Sequence, residues 1–125
     1  MQTMLLIALG AALGANARYL LSSWATARWG AAFPYGTLLI NVLGSLGIGV
    51  VLGLLAARTS TSPAWQPLLV TGFLGGFTTF STFSFEIYRL ITSGQLAQAA
   101  LYVGGSVALG LAAVFAGIWI AKAFV

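Results

Sequence analysis

Five hydroxyl side chains, Thr78, Thr79, Ser81, Thr82 and Ser84, fall within seven residues, interleaved with Phe80 and Phe83 and placed just after the pair Gly75-Gly76. A hydroxyl donates and accepts a hydrogen bond, and a phenyl ring carries a positive edge. Backbone loosened by glycine offers N–H groups that suit an anion and carbonyls that suit a small cation. These residue types hold ions rather than break bonds. The whole stretch from Gly72 to Phe85, GFLGGFTTFSTFSF, lies inside an apolar run long enough to cross a bilayer. Interrupted backbone at that depth is tolerated only where protein buries it or where it lines a water-filled path. A pore or binding site is expected in this segment.

The other polar groups of the apolar runs are few. Asn41 lies within LLINVLGSLGIGV, where its amide either bonds a neighbouring helix as packing glue or offers N–H donors to an anion. Phe80 and Phe83 are three apart and share a helix face. They read as packing residues, or as dehydrated ring-edge contacts for an anion. Glu86 and Arg89 have the spacing of an interfacial ion pair, with a proton-coupling carboxylate as the alternative role of Glu86. Arg18 either snorkels or raises anion concentration at a vestibule mouth. Tyr102 and Ser106, one turn apart, extend a hydroxyl track, and a place in an aromatic girdle is the other reading of Tyr102.

Absent residues exclude most enzyme chemistry. The chain has no His and no Cys, and Glu86 is its one carboxylate. That removes the ordinary transition-metal sites, the commonest general base, a thiol nucleophile and any paired-carboxylate mechanism. No glycine-rich loop ends in a phosphate-binding Lys. The five basic residues, Arg18, Arg28, Arg58, Arg89 and Lys122, are scattered, which argues against a nucleic-acid partner. With no cysteine there is also no disulfide framework.

These groups must be positioned by membrane-spanning elements. In 125 residues, 60% are hydrophobic and 5% charged, and the mean hydropathy is +1.03, far from a soluble domain. The expected architecture is all-α and integral to the membrane, a single domain over residues 1–125. Four spans of about 20 residues are placed at Met4 to Trp24, Gly36 to Ala57, Pro67 to Ile91 and Ala97 to Ala121. The short connections Ala25 to Tyr35, Arg58 to Gln66 and Thr92 to Leu96 hold turn punctuation such as Pro34 and TSTSP at Thr59 to Pro63. Ala15-Asn16-Ala17 resembles a leader cleavage site, but no Lys or Arg precedes the apolar run as a leader requires.

Four spans put Arg58 and Lys122 on one side and Arg18, Arg28 and Arg89 on the other. Lys/Arg excess normally sets orientation, and two against three is nearly no bias. Either packing orients the chain, or it inserts both ways and pairs antiparallel. Four helices leave no lumen of their own, so a permeation path needs a partner. Gly10-x-x-x-Gly14, Gly49-x-x-x-Gly53 and Gly72-x-x-x-Gly76 permit close helix contacts.

GANARYLLS at Gly14 to Ser23, NVLGSLGIG at Asn41 to Gly49, GFLGGFTTFSTFSFE at Gly72 to Glu86 and YVGGSVALG at Tyr102 to Gly110 resemble the Fluc fluoride channels, the CrcB family, from end to end. The resemblance implies a multi-pass protein of the cell membrane, of the bacterial inner-membrane kind. It implies an antiparallel dual-topology homodimer with a broken third helix and two passive fluoride pores. By that resemblance Asn41 is the pore amide and Phe80 and Phe83 supply ring edges. Thr37, Ser81, Thr82, Tyr102 and Ser106 add polar lining, and Arg18 lines the vestibule. Carbonyls of Gly75 and Thr78 from both chains hold a structural Na⁺ at the dimer centre. A four-helix proton-coupled exporter of the small multidrug-resistance type is the alternative, although its carboxylate belongs in the first helix and this first helix has none.

Overall fold

The computed structural model describes residues 1–56 and 65–124. Arg58, the Thr59 to Pro63 turn signal and Ala57, the expected end of the second span, lie outside the described residues. The elements are α1 (Gln2–Trp29), α2 (Tyr35–Ala56), a π-helical segment (Pro67–Leu74), α3 (Gly75–Phe77), α4 (Phe80–Thr92) and α5 (Leu96–Lys122), with no strand among the described residues. Taking Pro67–Thr92 together, four stretches of 28, 22, 26 and 27 residues are long and apolar enough to cross a membrane. At 1.5 Å per residue even the shortest as an α-helix reaches about 33 Å, enough for a hydrocarbon core of roughly 30 Å.

Helix ends follow local chemistry rather than the hydropathy edge. α1 runs past the expected Trp24 to Trp29, because nothing in Ala25 to Arg28 opposes a helix. Gly30, at φ 77°, then stops it, with its N–H on the Thr26 carbonyl at 2.8 Å. Gly94, at φ 78°, ends α4. Its N–H reaches the Ile91 carbonyl at 3.0 Å while that of Gln95 reaches Leu90 at 2.9 Å, the paired closure of a Schellman turn. The segment Pro67–Leu74 was expected to be ordinary α-helix and is instead wound as π-helix over 8 residues, longer than the usual single-turn bulge.

Two helix pairs dominate the packing: α2 with α5, and α1 with the π-helical segment and α3. In the second pair backbone meets backbone. A Cβ on Gly76 would lie 2.6 Å from the Ala11 carbonyl oxygen and one on Gly72 2.8 Å from that of Ile7, while Gly10 and Gly14 abut the carbonyls of Leu68 and Phe73. The small-residue spacing seen in the sequence is therefore the contact itself.

The buried cluster of Leu90, Ala99 and Tyr102, with Phe33, Leu38, Phe83 and Ile87 packed on it, ties α4 and α5 to the 30–34 loop. Beside it Trp24, Trp29, Phe33 and Tyr35 form tilted and edge-to-face contacts with centroids 4.8 to 5.6 Å apart, as interfacial aromatics do. Large apolar side chains elsewhere, such as Leu9 and Leu13 on α1 or Leu111 and Phe115 on α5, face outward. That is the pattern lipid contact allows.

Candidate functional site

Between α3 and α4 the chain leaves the helix for two residues. Thr78 has φ −78°, ψ 159° and Thr79 has φ −152°, ψ 119°, both extended. Of the four backbone groups of these two residues, one keeps its helical partner and three lose theirs and find a side-chain substitute. The Thr78 N–H donates to the Leu74 carbonyl at 3.0 Å, and the Thr78 carbonyl accepts from Arg18 Nη1 at 3.2 Å. Asn41 takes both groups of Thr79, with Oδ1 accepting its N–H at 3.0 Å and Nδ2 donating to its carbonyl at 3.1 Å. Such complete satisfaction is what a water-poor setting demands. α4 then starts cleanly, because Thr79 Oγ1 accepts the Thr82 N–H at 3.3 Å as an N-cap.

The expectation that this break leaves backbone groups free is corrected at Thr78 and Thr79, whose N–H and C=O groups are all engaged. Open groups lie on either side. The amides of Phe80 and Ser81 stand in the first turn of α4, where a helix has no internal acceptors for them. Upstream, the Thr79 N–H that an unbroken helix would aim at the Gly75 carbonyl goes to Asn41 Oδ1 instead.

The candidate residues gather around two cavities that meet at Thr79. Asn41, Gly75, Thr78 and Phe80 border one, about 420 Å³ in volume. Arg18, Thr37, Ser81 and Thr82 border the other, also about 420 Å³, together with Tyr19 and Ser22. Thr79 Oγ1 donates to Thr82 Oγ1 at 3.0 Å and lies 3.5 Å from Ser81 Oγ, so the hydroxyls form a connected patch. Phe80 is 79% exposed and its ring centroid is 5.9 Å from that of Phe83. Phe83 in turn packs against Tyr102 at 5.0 Å.

A family profile described as "CrcB-like protein, Camphor Resistance (CrcB)" matches residues 5–118. The chain belongs to the CrcB family. Among its relatives, a protein of Roseiflexus sp. (strain RS-1) is 59% identical over 116 residues, 93% of this chain and 94% of the relative. One of Chloroflexus aurantiacus is 51% identical over 124 residues, 99% of this chain and 98% of the relative. One of Acidobacterium capsulatum is 50% identical over 112 residues, 90% of each. All three bear the name "Fluoride-specific ion channel FluC". With four helices fit to span a membrane, this CrcB chain is a multi-pass membrane protein.

Two residues take roles in this candidate site that were not anticipated. Thr79 borders both cavities, yet in TTFSTFS the hydroxyls are chemically alike, and only the double hydrogen bond to Asn41 singles it out. Glu86 is the other. The expected Glu86–Arg89 ion pair is absent among the described residues. Instead Thr37 Oγ1 donates to Glu86 Oε1 at 2.8 Å and Tyr102 Oη donates to Oε2 at 2.6 Å, while Arg89 Nη2 donates to the Ala31 carbonyl at 3.3 Å. A carboxylate within an apolar bundle takes the donors nearest to it, and these stand on α2 and α5. Both hydroxyls are spent there, since Thr37 is 3% and Tyr102 0% exposed. Ser106 Oγ is buried with no hydrogen-bond partner, the one such side-chain atom among the described residues.

Proposed function

We propose that the chain is a passive, fluoride-selective channel of the cell membrane through which fluoride leaves the cytoplasm. The observation that carries this reading is the near-full-length likeness, at 59% identity, to a relative named for fluoride-specific conduction. The geometry at Thr78-Thr79 supplies a physical route. A compact, strongly hydrated anion is dehydrated only where many donors replace its water. Ser81, Thr82, the amides of Phe80 and Ser81 and the ring edges of Phe80 and Phe83 are such donors, and Asn41 has a second amide N–H beyond the one on Thr79.

In this reading two copies pair antiparallel, with the third span broken at Thr78-Thr79 and each pore lined from both chains. The exposed Phe80 and the open cavity beside it support a partner covering that face. Thr37 and Tyr102 continue the polar line through Glu86, to which both donate, and Ser106 continues it with a buried, unpaired Oγ that supports a ligand for it. Arg18 serves the vestibule. Carbonyls of Gly75 and Thr78 from two copies hold Na⁺. Hard oxygen donors suit that cation, and the Gly75 carbonyl is the freer of the two because Arg18 already donates to Thr78.

The test is efflux of fluoride and of chloride from liposomes holding only the purified chain, with and without a proton gradient. Fluoride efflux that outruns chloride and ignores the gradient is expected. Flux strictly tied to the gradient would establish the exporter alternative, and no flux of either anion would leave a membrane scaffold.

A further inference from the structure

A third cavity, about 110 Å³ in volume, lies under the 30–34 loop. Its walls include Ser22 and Thr26 of α1, the Ala31 backbone region, Thr37 of α2, and Glu86 and Arg89 of α4. A water needs roughly 10–15 Å³ of such space, so the cavity accommodates several, or a partly hydrated small anion. It extends from the loop, at the end of the bundle, inward to Thr37 and Glu86. Ser22 and Thr37 also border the larger cavity that holds Arg18, Ser81 and Thr82. Those two side chains are thus the partition between two polar chambers.

Each chamber has a guanidinium in its wall, Arg18 in the larger and Arg89 in the smaller, and Glu86 borders the smaller one beside Arg89. Both Glu86 oxygens accept hydroxyl hydrogen bonds, but a carboxylate with no cation near it repels a passing anion. Arg89 is three residues on along α4 and borders the same chamber. Its one hydrogen bond among the described residues is to the Ala31 carbonyl, which leaves four of five guanidinium N–H donors free of protein partners.

We infer that Arg89 is the anion-attracting group at the second mouth of the conduction path, with the chamber beneath the 30–34 loop as the last station between Glu86 and water. The inference rests on the fluoride-channel reading. It gives the path two electropositive ends, of which only Arg18 was assigned before. Arg89 acts by its charge, raising local fluoride concentration as like-signed clefts do for counter-ions.

The experiment compares the parent with Arg89→Lys and Arg89→Gln in liposomes, at low and at high concentration of an impermeant salt. The screening length falls from about 30 Å at 0.01 M to about 3 Å at 1 M. At low salt Arg89→Gln should lower fluoride efflux by roughly tenfold, with Arg89→Lys staying close to the parent. At high salt the three should converge. Equal efflux by Arg89→Gln and the parent at low salt overturns the inference, and so does a loss in Arg89→Gln that salt leaves unchanged, since that marks a structural residue. A parent that passes no fluoride overturns the channel reading and this inference with it, whereas an active parent with salt-insensitive variants overturns the role of Arg89 alone.

Discussion

Asn41 grips Thr79 with both ends of its amide, so the residue serves the backbone of the break before it serves any ion. Asn41→Ala leaves an N–H and a C=O unpaired, each at a cost of about 1–3 kcal/mol. A fall in the thermal midpoint of the detergent-solubilised protein, together with loss of fluoride efflux, is the expected outcome. Phe80→Ile and Phe83→Ile separate chemistry from bulk, because isoleucine keeps an apolar side chain but has no positive ring edge. Efflux should drop while the assembly seen by size-exclusion chromatography stays intact, and isoleucine variants that conduct like the parent would reduce both rings to packing. Asn41 could be picked out in the sequence as a lone amide in a span, whereas its partner could not. Which of five neighbouring hydroxyl residues turns extended depends on the tertiary grip of α2, not on anything local to TTFSTFS. The tie of Glu86 to Thr37 and Tyr102 was hidden for a related reason: Arg89 offered a partner three residues away, and the donors that prevailed lie 49 and 16 positions distant in the chain.

At the scale of elements, hydropathy located all four spans, and α2 and α5 agree with their expected ranges to within a residue at the described ends. α1 exceeded its range because a helix ends where its capping residue stands, here Gly30, not where the membrane does. The π-helical winding of Pro67–Leu74 had no sequence signal that periodicity reads, and the segment so wound packs backbone to backbone against α1. That contact is testable. Gly14→Val drives a side chain into the Phe73 carbonyl, and neither backbone can retreat without disturbing the segment that leads into Thr78. The variant should fall below the parent in folded yield and thermal midpoint by the margin of an overpacked core, about 1–3 kcal/mol or more, measured by denaturation in detergent. A variant as stable as the parent would mean that α1 and the third span are not held at this distance.

For the whole molecule, the near-even split of basic residues leads to the proposed antiparallel pair. Two lysines added in the 58–66 loop should fix one orientation with that loop cytoplasmic, and two added beside Arg28 the opposite one. Each variant alone should pass no fluoride and co-expression should restore efflux; normal conduction by one trapped variant would point to a parallel or single-chain unit. Exhaustive removal of Na⁺ should weaken the dimer or stop efflux, read by size-exclusion chromatography and by flux in parallel. The grip of Asn41 on Thr79, which joins positions 38 residues apart, also bears on how the protein is made. A ribosome delivers α1 and α2 to the bilayer before the third span has been synthesised. When that span arrives, its two extended residues present three backbone groups that neither their own helix nor lipid can satisfy, and the hydrogen bonds that relieve them come from Arg18 and Asn41, side chains already in place. The third span therefore does not insert on its own merits but onto a template laid down by the earlier helices. The order in which translation releases the spans is the order in which the membrane can accept them.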